Sequence, residues 1–423
     1  GLKETITNGI ILKNNSINDI FNEIDELIKN KKKLKDLQNK SYKNFYLTNK
    51  YISKKIDSYR LKLASKQLNL TSSRLLKSRL KIIHVTNFNE RHNGRLFYNT
   101  GKRINNGLVR LGHSVLEFSD RDILSNNRKL SDLNGADFLN KKLLNVIGNY
   151  TPDLIVLGHA DLIDFKTLKI IKKYYPETKI TQWFLDRMDS EWINNTKRFL
   201  KNIDIMDSNF CTTDPRSLKH SKKYPIYYLP NPVDKSFETL KNYKNKFLKN
   251  DVFFAMSHGV HRGVLKKGKF DKRELILKKL TNRLPNIKFD IYGVENKEPI
   301  WADNFIKVLS QSKIALNLSQ GKPSKYYTSD RFAQLIGNGL LVLIDKKISY
   351  NNLFNSNEII SYRNIKDLTN KIEMYANNDK LRQKIAKNGR NKYFKYFNST
   401  VVAEYIINKT FNIKKKYYWE GKL

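Results

Sequence analysis

Cysteine is nearly missing: Cys211 is the single one in 423 residues, which excludes an intrachain disulfide and any cysteine-built metal cluster. The seven histidines show no His-Glu-x-x-His spacing, so that zinc motif is excluded as well. No apolar run approaches the about 20 residues that a membrane-spanning helix needs. The start shows no charged-then-apolar leader, and a cytoplasmic chain is expected. Acidic residues are scarce beside basic ones, 40 against 80, giving a formal charge of +40. Such a field attracts polyanionic or phosphorylated ligands and leaves peripheral contact with an anionic membrane open. Lysine is nevertheless spread over ordinary helix exteriors, and no RNA-recognition, zinc-finger or helix-turn-helix signature occurs, so no specific nucleic acid is expected.

What is present is a foldable chain, with 39% hydrophobic and 12% aromatic residues. Single cores stop growing near about 250–300 residues, so two domains with appendages are expected. From Lys81 onward short apolar runs alternate with helix-length amphipathic stretches. The runs at 81–86, 114–118, 153–157, 179–184 and 203–206 read as strands. A turn-rich segment, Tyr228-Leu-Pro-Asn-Pro-Val-Asp234, follows, where two prolines stop regular structure. A second series comes at 252–256, 288–292, 313–318, 340–344 and 358–361.

Strands alternating with helices predict the α/β class: two Rossmann-like doubly wound parallel sheets facing a cleft, with an N-terminal helical extension. The expected boundaries are 1–80 for the extension, 81–234 and 235–395 for the sheet domains, and 396–423 for a closing helix with a basic-aromatic tail. That tail, Lys414-Lys-Lys-Tyr-Tyr-Trp419, could touch a membrane surface or serve as a short sticky end.

Residues 1–80 place Ile17, Ile20, Ile24, Leu27 and Ile28 at helical spacing. They also carry a loose internal repeat. The order Asn8-Gly-Ile-Ile-Leu12, helix, Lys31-Lys-Lys-Leu34 parallels Asn357-Glu-Ile-Ile-Ser361, helix, Asn378-Asp-Lys-Leu381. Two readings stay open: the tail of a further domain like the second one, or a helical hairpin appendage.

The stretch Tyr327 to Asp345 reads as a polar loop, a short helix, a glycine turn and a buried strand. Helix N-termini present free N–H groups to anions, so Ser329, Asp330 and Arg331 are candidates for phosphate or ribose contacts. Asp330 and Gln334 lie four apart, on one helical face. Ligands of doubly wound sheets bind beyond the strand ends. This directs attention to Tyr292 and Gly293 for a base, and to Asn93, Gly94 and Arg95 for a sugar or phosphate. Asn93-Gly94-Arg95 is not a G-x-G-x-x-G fingerprint, which argues against a dinucleotide dehydrogenase. His159 and Asp186 follow strands and are candidates for a base or an acceptor-orienting group.

Taken in order, Gly107-Leu-Val-Arg-Leu-Gly-His-Ser-Val115, the Leu-Pro-Asn-Pro-Val-Asp linker, the run Arg331 to Gly339, and Leu368 to Phe397 resemble the GT-B glycosyltransferases. Within these the likeness is to group-1 and CgeB-like nucleotide-sugar transferases, over residues 81–411. The resemblance implies a nucleotide-diphosphate sugar as co-substrate, no bound cofactor, and a glycan or lipid-linked acceptor in cell-surface polysaccharide synthesis. Arg262 and Lys267, in the basic loop from Ser257 to Lys269, resemble the family's diphosphate-gripping pair. Gln334 stands where the family carries Glu, which removes a charge from the ribose contact. No Asp-x-Asp metal site is evident, so metal-independent transfer is implied. A sugar-nucleotide epimerase or hydrolase, and a non-enzymatic binder of anionic polymer or membrane, are the alternatives.

Overall fold

The computed structural model describes residues 9–14, 16–74, 79–128, 132–257, 271–294 and 297–423. Its contacts separate two compact units, residues 1–78 and 79–423. The first unit is helical, with α1 Ile17–Lys29, α2 Lys31–Asn44 and α3 Asn49–Arg74. Each start is set by a side-chain cap. Ser16 Oγ accepts the Asp19 N–H at 3.1 Å, Asn30 Oδ1 accepts that of Lys33 at 3.0 Å, and Thr48 Oγ1 accepts that of Tyr51 at 3.2 Å. Such oxygens satisfy donors that the first helical turn leaves unpaired.

The second unit holds two parallel sheets. The first contains β1 Lys81–Thr86, β2 Ser114–Ser119, β3 Leu154–Gly158, β4 Lys179–Phe184, β5 Ser208–Cys211 and β6 Ile226–Tyr228, in the order β2-β1-β3-β4-β5-β6. Between its strands run α4 Thr100–Arg110, α5 Asp120–Asn126, α6 Ala136–Tyr150, α7 Phe165–Tyr174 and α8 Ile193–Leu200. The second sheet contains β7 Asn250–Ala255, β8 Phe289–Tyr292, β9 Ser312–Asn317, β10 Leu341–Asp345 and β11 Ile360–Tyr362, in the order β11-β10-β9-β7-β8. It carries α9 Lys272–Arg283, α10 Ala302–Leu309 and α11 Asp330–Gly337, then α12 Ile365–Ala376 and α13 Asp379–Tyr396, and the last helix, α14 Ser399–Thr410, lies against the first sheet. This is the GT-B arrangement. Strands covered on both faces read as unbroken apolar runs, and all five residues of β3, Leu-Ile-Val-Leu-Gly, are buried.

One sequence expectation fails locally. Ile203-Asp-Ile-Met206 is not a strand, because Ile203–Ile205 form a 3-10 turn that buries Ile203 and Met206 from one side. The strand starts at Ser208, whose apolar signal is weak because its polar side chains are paired: Ser208 Oγ meets Thr181 Oγ1 at 2.8 Å and Thr410 Oγ1 at 2.7 Å. The basic-aromatic tail packs on the body of the chain. Tyr417 and Trp419 are buried, with Trp419 stacked on Phe397 and edge-on to Tyr405. Two of its three aromatic side chains are therefore not offered to any surface. No helix among the described residues is long and apolar enough to cross a membrane.

The chain passes from the first sheet to the second at Val233 and returns beside the same point. Val233 N–H donates to Phe397 O at 3.0 Å, and Ser399 N–H donates to Val233 O at 2.7 Å. The return brings α14 onto α4, so closely that a Cβ on Gly107 would lie 2.0 Å from Ser399 O. Both crossings are thus packed, and the loops at the strand ends face each other.

Candidate functional site

In each sheet the strand order reverses beside the first strand, with β1 between β2 and β3 and β7 between β8 and β9. Connections leave such a point in opposite directions and open a crevice at the carboxyl ends. A cavity of about 500 Å³ lies there, lined by Ala255 to Ser257 after β7, Asn317 to Gln320 after β9, and Tyr327 to Arg331 leading into α11. Its opposite wall comes from the first sheet's loops, with Arg95, Tyr98, Arg103, Asp186, Arg187 and Trp192.

On the second-sheet wall, Arg331 donates from Nη1 to Ala255 O at 2.8 Å and from Nη2 to Leu318 O at 2.9 Å. It therefore ties the ends of β7 and β9 together, over the Phe254 ring at 5.0 Å. Burial, then the Arg273 charge, pulls its guanidinium down to about 10, still cationic at neutral pH. Ser329 caps α11 without a side-chain hydrogen bond, which leaves its hydroxyl to the cavity it lines. Gln334 Nε2 donates to Asp330 Oδ2 at 3.3 Å, so the four-residue spacing does place the two together.

On the first-sheet wall, His159 and Asp186 meet. His159 Nδ1 lies 3.7 Å from Asp186 Oδ2, and Nε2 accepts the Leu185 N–H at 2.6 Å. The ring stacks on Phe184, with centroids 4.1 Å apart. Burial pulls its pKa down to about 4, so the ring is neutral at pH 7, and the Nε2 contact places its proton on Nδ1 toward Asp186. That lone pair is occupied, and Nδ1 is the ring nitrogen turned toward Asp186. Asp186 also takes Arg198 Nη1 at 3.3 Å, yet its side chain stays 47% exposed and lines the cavity. A second opening of about 470 Å³ adjoins it at the first sheet's switch point, lined by Asn87, Arg91, Arg121, His159, Arg198 and Asp330.

Several lining residues had no sequence signal, since they meet across long separations. Arg103 and Glu238 form an ion pair with 1% exposure on each side, Nη2 to Oε1 at 2.5 Å, and the carboxylate holds the guanidinium charged. Tyr98 OH donates to Asp303 Oδ1 at 2.6 Å, and Arg187 Nη1 donates to Lys322 O at 2.6 Å, joining the two walls. Arg95 lies over the Trp301 ring at 5.3 Å. Among the described lining residues, the buried polar side-chain atoms left without a partner are Arg95 Nε, Trp192 Nε1 and Arg331 Nε. All three are donors. Buried donors without partners are costly.

Other sequence candidates are placed differently. Tyr292 and Gly293 do not line this cavity. Gly293 has φ +72°, and a Cβ there would lie 1.8 Å from Met256 O, so close packing requires glycine at this position. Asn93 and Gly94 do not open the first helix. They form a positive-φ turn after a short 3-10 segment, and α4 starts at Thr100 behind the cap Asn99. Both line a shallower opening shared with Arg95 and Trp301. Arg262 and Lys267 lie outside the described residues. One Asp-x-Asp spacing does occur, Asp120-Arg-Asp122, but neither carboxylate lines the cavities. Asp122 accepts the Glu90 N–H at 2.9 Å and Arg91 Nη1 at 2.9 Å, whereas Asp120 is enclosed with Arg121 Nε 3.9 Å from its Oδ2.

Residues 272–408 match the family described as glycosyl transferase-like. No curated protein matches the chain by sequence. Among solved structures, a glycosyltransferase from Rickettsia africae is similar over 80% of this chain and 100% of its own, at 11% identity and a TM-score of 0.50. The sucrose-phosphate synthase of Thermosynechococcus elongatus is similar over 77% and 97%, at 9% identity and a TM-score of 0.50. Anabaena HepE, solved with UDP and glucose, is similar over 79% and 100%, at 11% identity and a TM-score of 0.50. At these identities the likeness establishes the fold.

Proposed function

We propose that this chain, a GT-B protein whose residues 272–408 form a glycosyl transferase-like domain, moves a glycosyl group from a nucleoside diphosphate sugar to a hydroxyl of a glycan or lipid-linked acceptor. The observation that carries this reading is one 500 Å³ cavity at facing sheet switch points, with Arg95, Trp192, Arg331 and the Ser329 hydroxyl on its walls. A diphosphate and a sugar supply the acceptor oxygens that such donors need.

The reaction breaks the bond between the anomeric carbon and the donor's phosphate oxygen and forms one to the acceptor oxygen. Charge grows on the leaving diphosphate, and donors fixed before the reaction stabilise it without reorganising. Arg331, the hydroxyl of Ser329 and the N-terminus of α11 are placed for that task. The acceptor hydroxyl must lose a proton. Asp186, exposed to the cavity and steadied by His159 and Arg198, is the carboxylate that takes it. The opening at the first sheet's switch point receives the acceptor, because it adjoins the donor cavity through the shared wall residues Asn89, Asn99 and Asp330.

The test is a thermal-shift screen over nucleoside diphosphates. A ligand at about 100 times its Kd adds about 2.7 kcal/mol to stability, which reads as a raised Tm. A raised Tm with at least one nucleoside diphosphate, absent with the nucleoside alone, is the expected result. No shift with any of them contradicts the reading.

A further inference from the structure

The helices of the first unit repeat the closing helices of the second. Ser16 and Asn30 cap α1 and α2 fourteen residues apart, and Asn364 and Asn378 cap α12 and α13 with the same step. Thr48 then opens α3 as Asn398 opens α14. At this offset Ile17, Ile20, Ile24 and Leu27 stand where α12 has Ile365, Leu368, Ile372 and Tyr375, and Asp19 and Asn22 stand where it has Asp367 and Asn370. Cap spacing and apolar spacing therefore repeat together, which a shared lysine and asparagine bias does not by itself produce.

The two copies differ in what covers them. In α12 those four side chains pack on the second sheet, among Val252, Leu316, Leu343 and Ile360. In α1 the same stripe is open, with Ile17 84%, Ile20 40% and Ile24 52% exposed and Leu27 half-buried. A helix with so clear an apolar face draws its stability from the surface it covers. The opposite face of α1 bears Asp19, Glu23, Asp25 and Glu26, so an anionic lipid surface is not its partner. The α12 copy shows what fits: one face of a parallel sheet.

We propose that residues 9–74 are the closing helices of a further module of this same two-sheet fold, carried on the same polypeptide, and that α1 lies on the last sheet of that module as α12 lies on β7, β9 and β11. The polypeptide then has a second switch-point cavity of the kind described above. The architecture rests on the repeat and the open stripe, and it stands apart from the assignment of the reaction.

Hydrogen–deuterium exchange tests this on two samples, the 423-residue chain and the polypeptide purified from its natural source, with peptide mapping of the latter. Amides from Ile20 to Ile28 are expected to exchange at least about 100-fold more slowly in the source polypeptide, where a sheet covers them. The variant carrying Ile20→Asp and Ile24→Asp in that polypeptide is expected to lose the protection while keeping the nucleotide-induced Tm shift of residues 79–423. Equal exchange in both samples overturns the proposal, since either nothing covers the stripe or the 423-residue chain covers it itself. Protection that rises with protein concentration overturns it in favour of a second copy. Mapped sequence ahead of residue 1 without strand–helix alternation also overturns it.

Discussion

Asp186 stands 3.7 Å from His159, Oδ2 to Nδ1, while the other ring nitrogen of His159 is held by the Leu185 N–H at 2.6 Å. The imidazole is thereby fixed as a donor toward the carboxylate, and the carboxylate faces the cavity. Asp186→Asn removes the proton acceptor and keeps the shape. It is expected to lower kcat by at least about 100-fold, in the range typical of general-base loss. His159→Gln, which disturbs orientation alone, is expected to cost less, about tenfold. Steady-state kinetics with the nucleotide Tm shift measured in parallel checks both, and the shift should persist in each variant.

Trp192 lines the cavity with an indole N–H that has no partner among the described residues. Trp192→Phe keeps an aromatic ring and removes that donor. A typical net hydrogen bond is worth about 0.5–1.5 kcal/mol, so donor KM should rise about 3- to 10-fold. An unchanged KM would place the indole away from the ligand.

Arg103 and Glu238 are enclosed together between the two sheets. Glu238→Gln leaves the guanidinium without its counter-charge, and breaking one side of a buried pair costs about 3–5 kcal/mol. Chemical denaturation should show that loss. The double variant Arg103→Met with Glu238→Leu, which leaves no buried charge, should recover most of it.

Burial pushes the Asp120 carboxyl up to about 7, against the Arg121 charge beside it. In the unfolded chain it titrates near about 3.9. Between these values the folded chain keeps a proton that the unfolded chain has released. Its contribution is therefore full below about pH 4 and is lost as pH rises through 7. Asp120→Asn, always neutral, escapes the loss. Its Tm relative to the parent should rise by several degrees between pH 5 and pH 8, and a difference independent of pH would contradict the burial argument.

Much of the fold was legible because buried parallel strands are short apolar runs: Leu154 to Leu157 and Leu341 to Ile344 could be read directly. Ser208 and Asn209 could not, since a polar strand is indistinguishable from a turn until its partners are known. The second-sheet wall was legible at Ser329, Asp330, Arg331 and Gln334, because loop, helix start and strand are contiguous there. The first-sheet wall was not. Trp192, Arg187 and Arg103 reach the cavity from separate loops, and Glu238 reaches Arg103 across 135 residues. Gly94 misled because a glycine after a strand suggests a helix start, whereas here a 3-10 turn intervenes before Thr100.

The central claim is transfer at the cavity shared by the two switch points. Its most direct test incubates the protein with nucleoside diphosphate sugars and a panel of glycan and lipid-linked acceptors, reading nucleoside diphosphate release and product mass together. The account predicts release that requires an acceptor, a product heavier by one glycosyl unit, and loss of both in Asp186→Asn. Conversion of a donor to an epimer or free sugar without any acceptor, at a rate that added acceptor leaves unchanged, would contradict it.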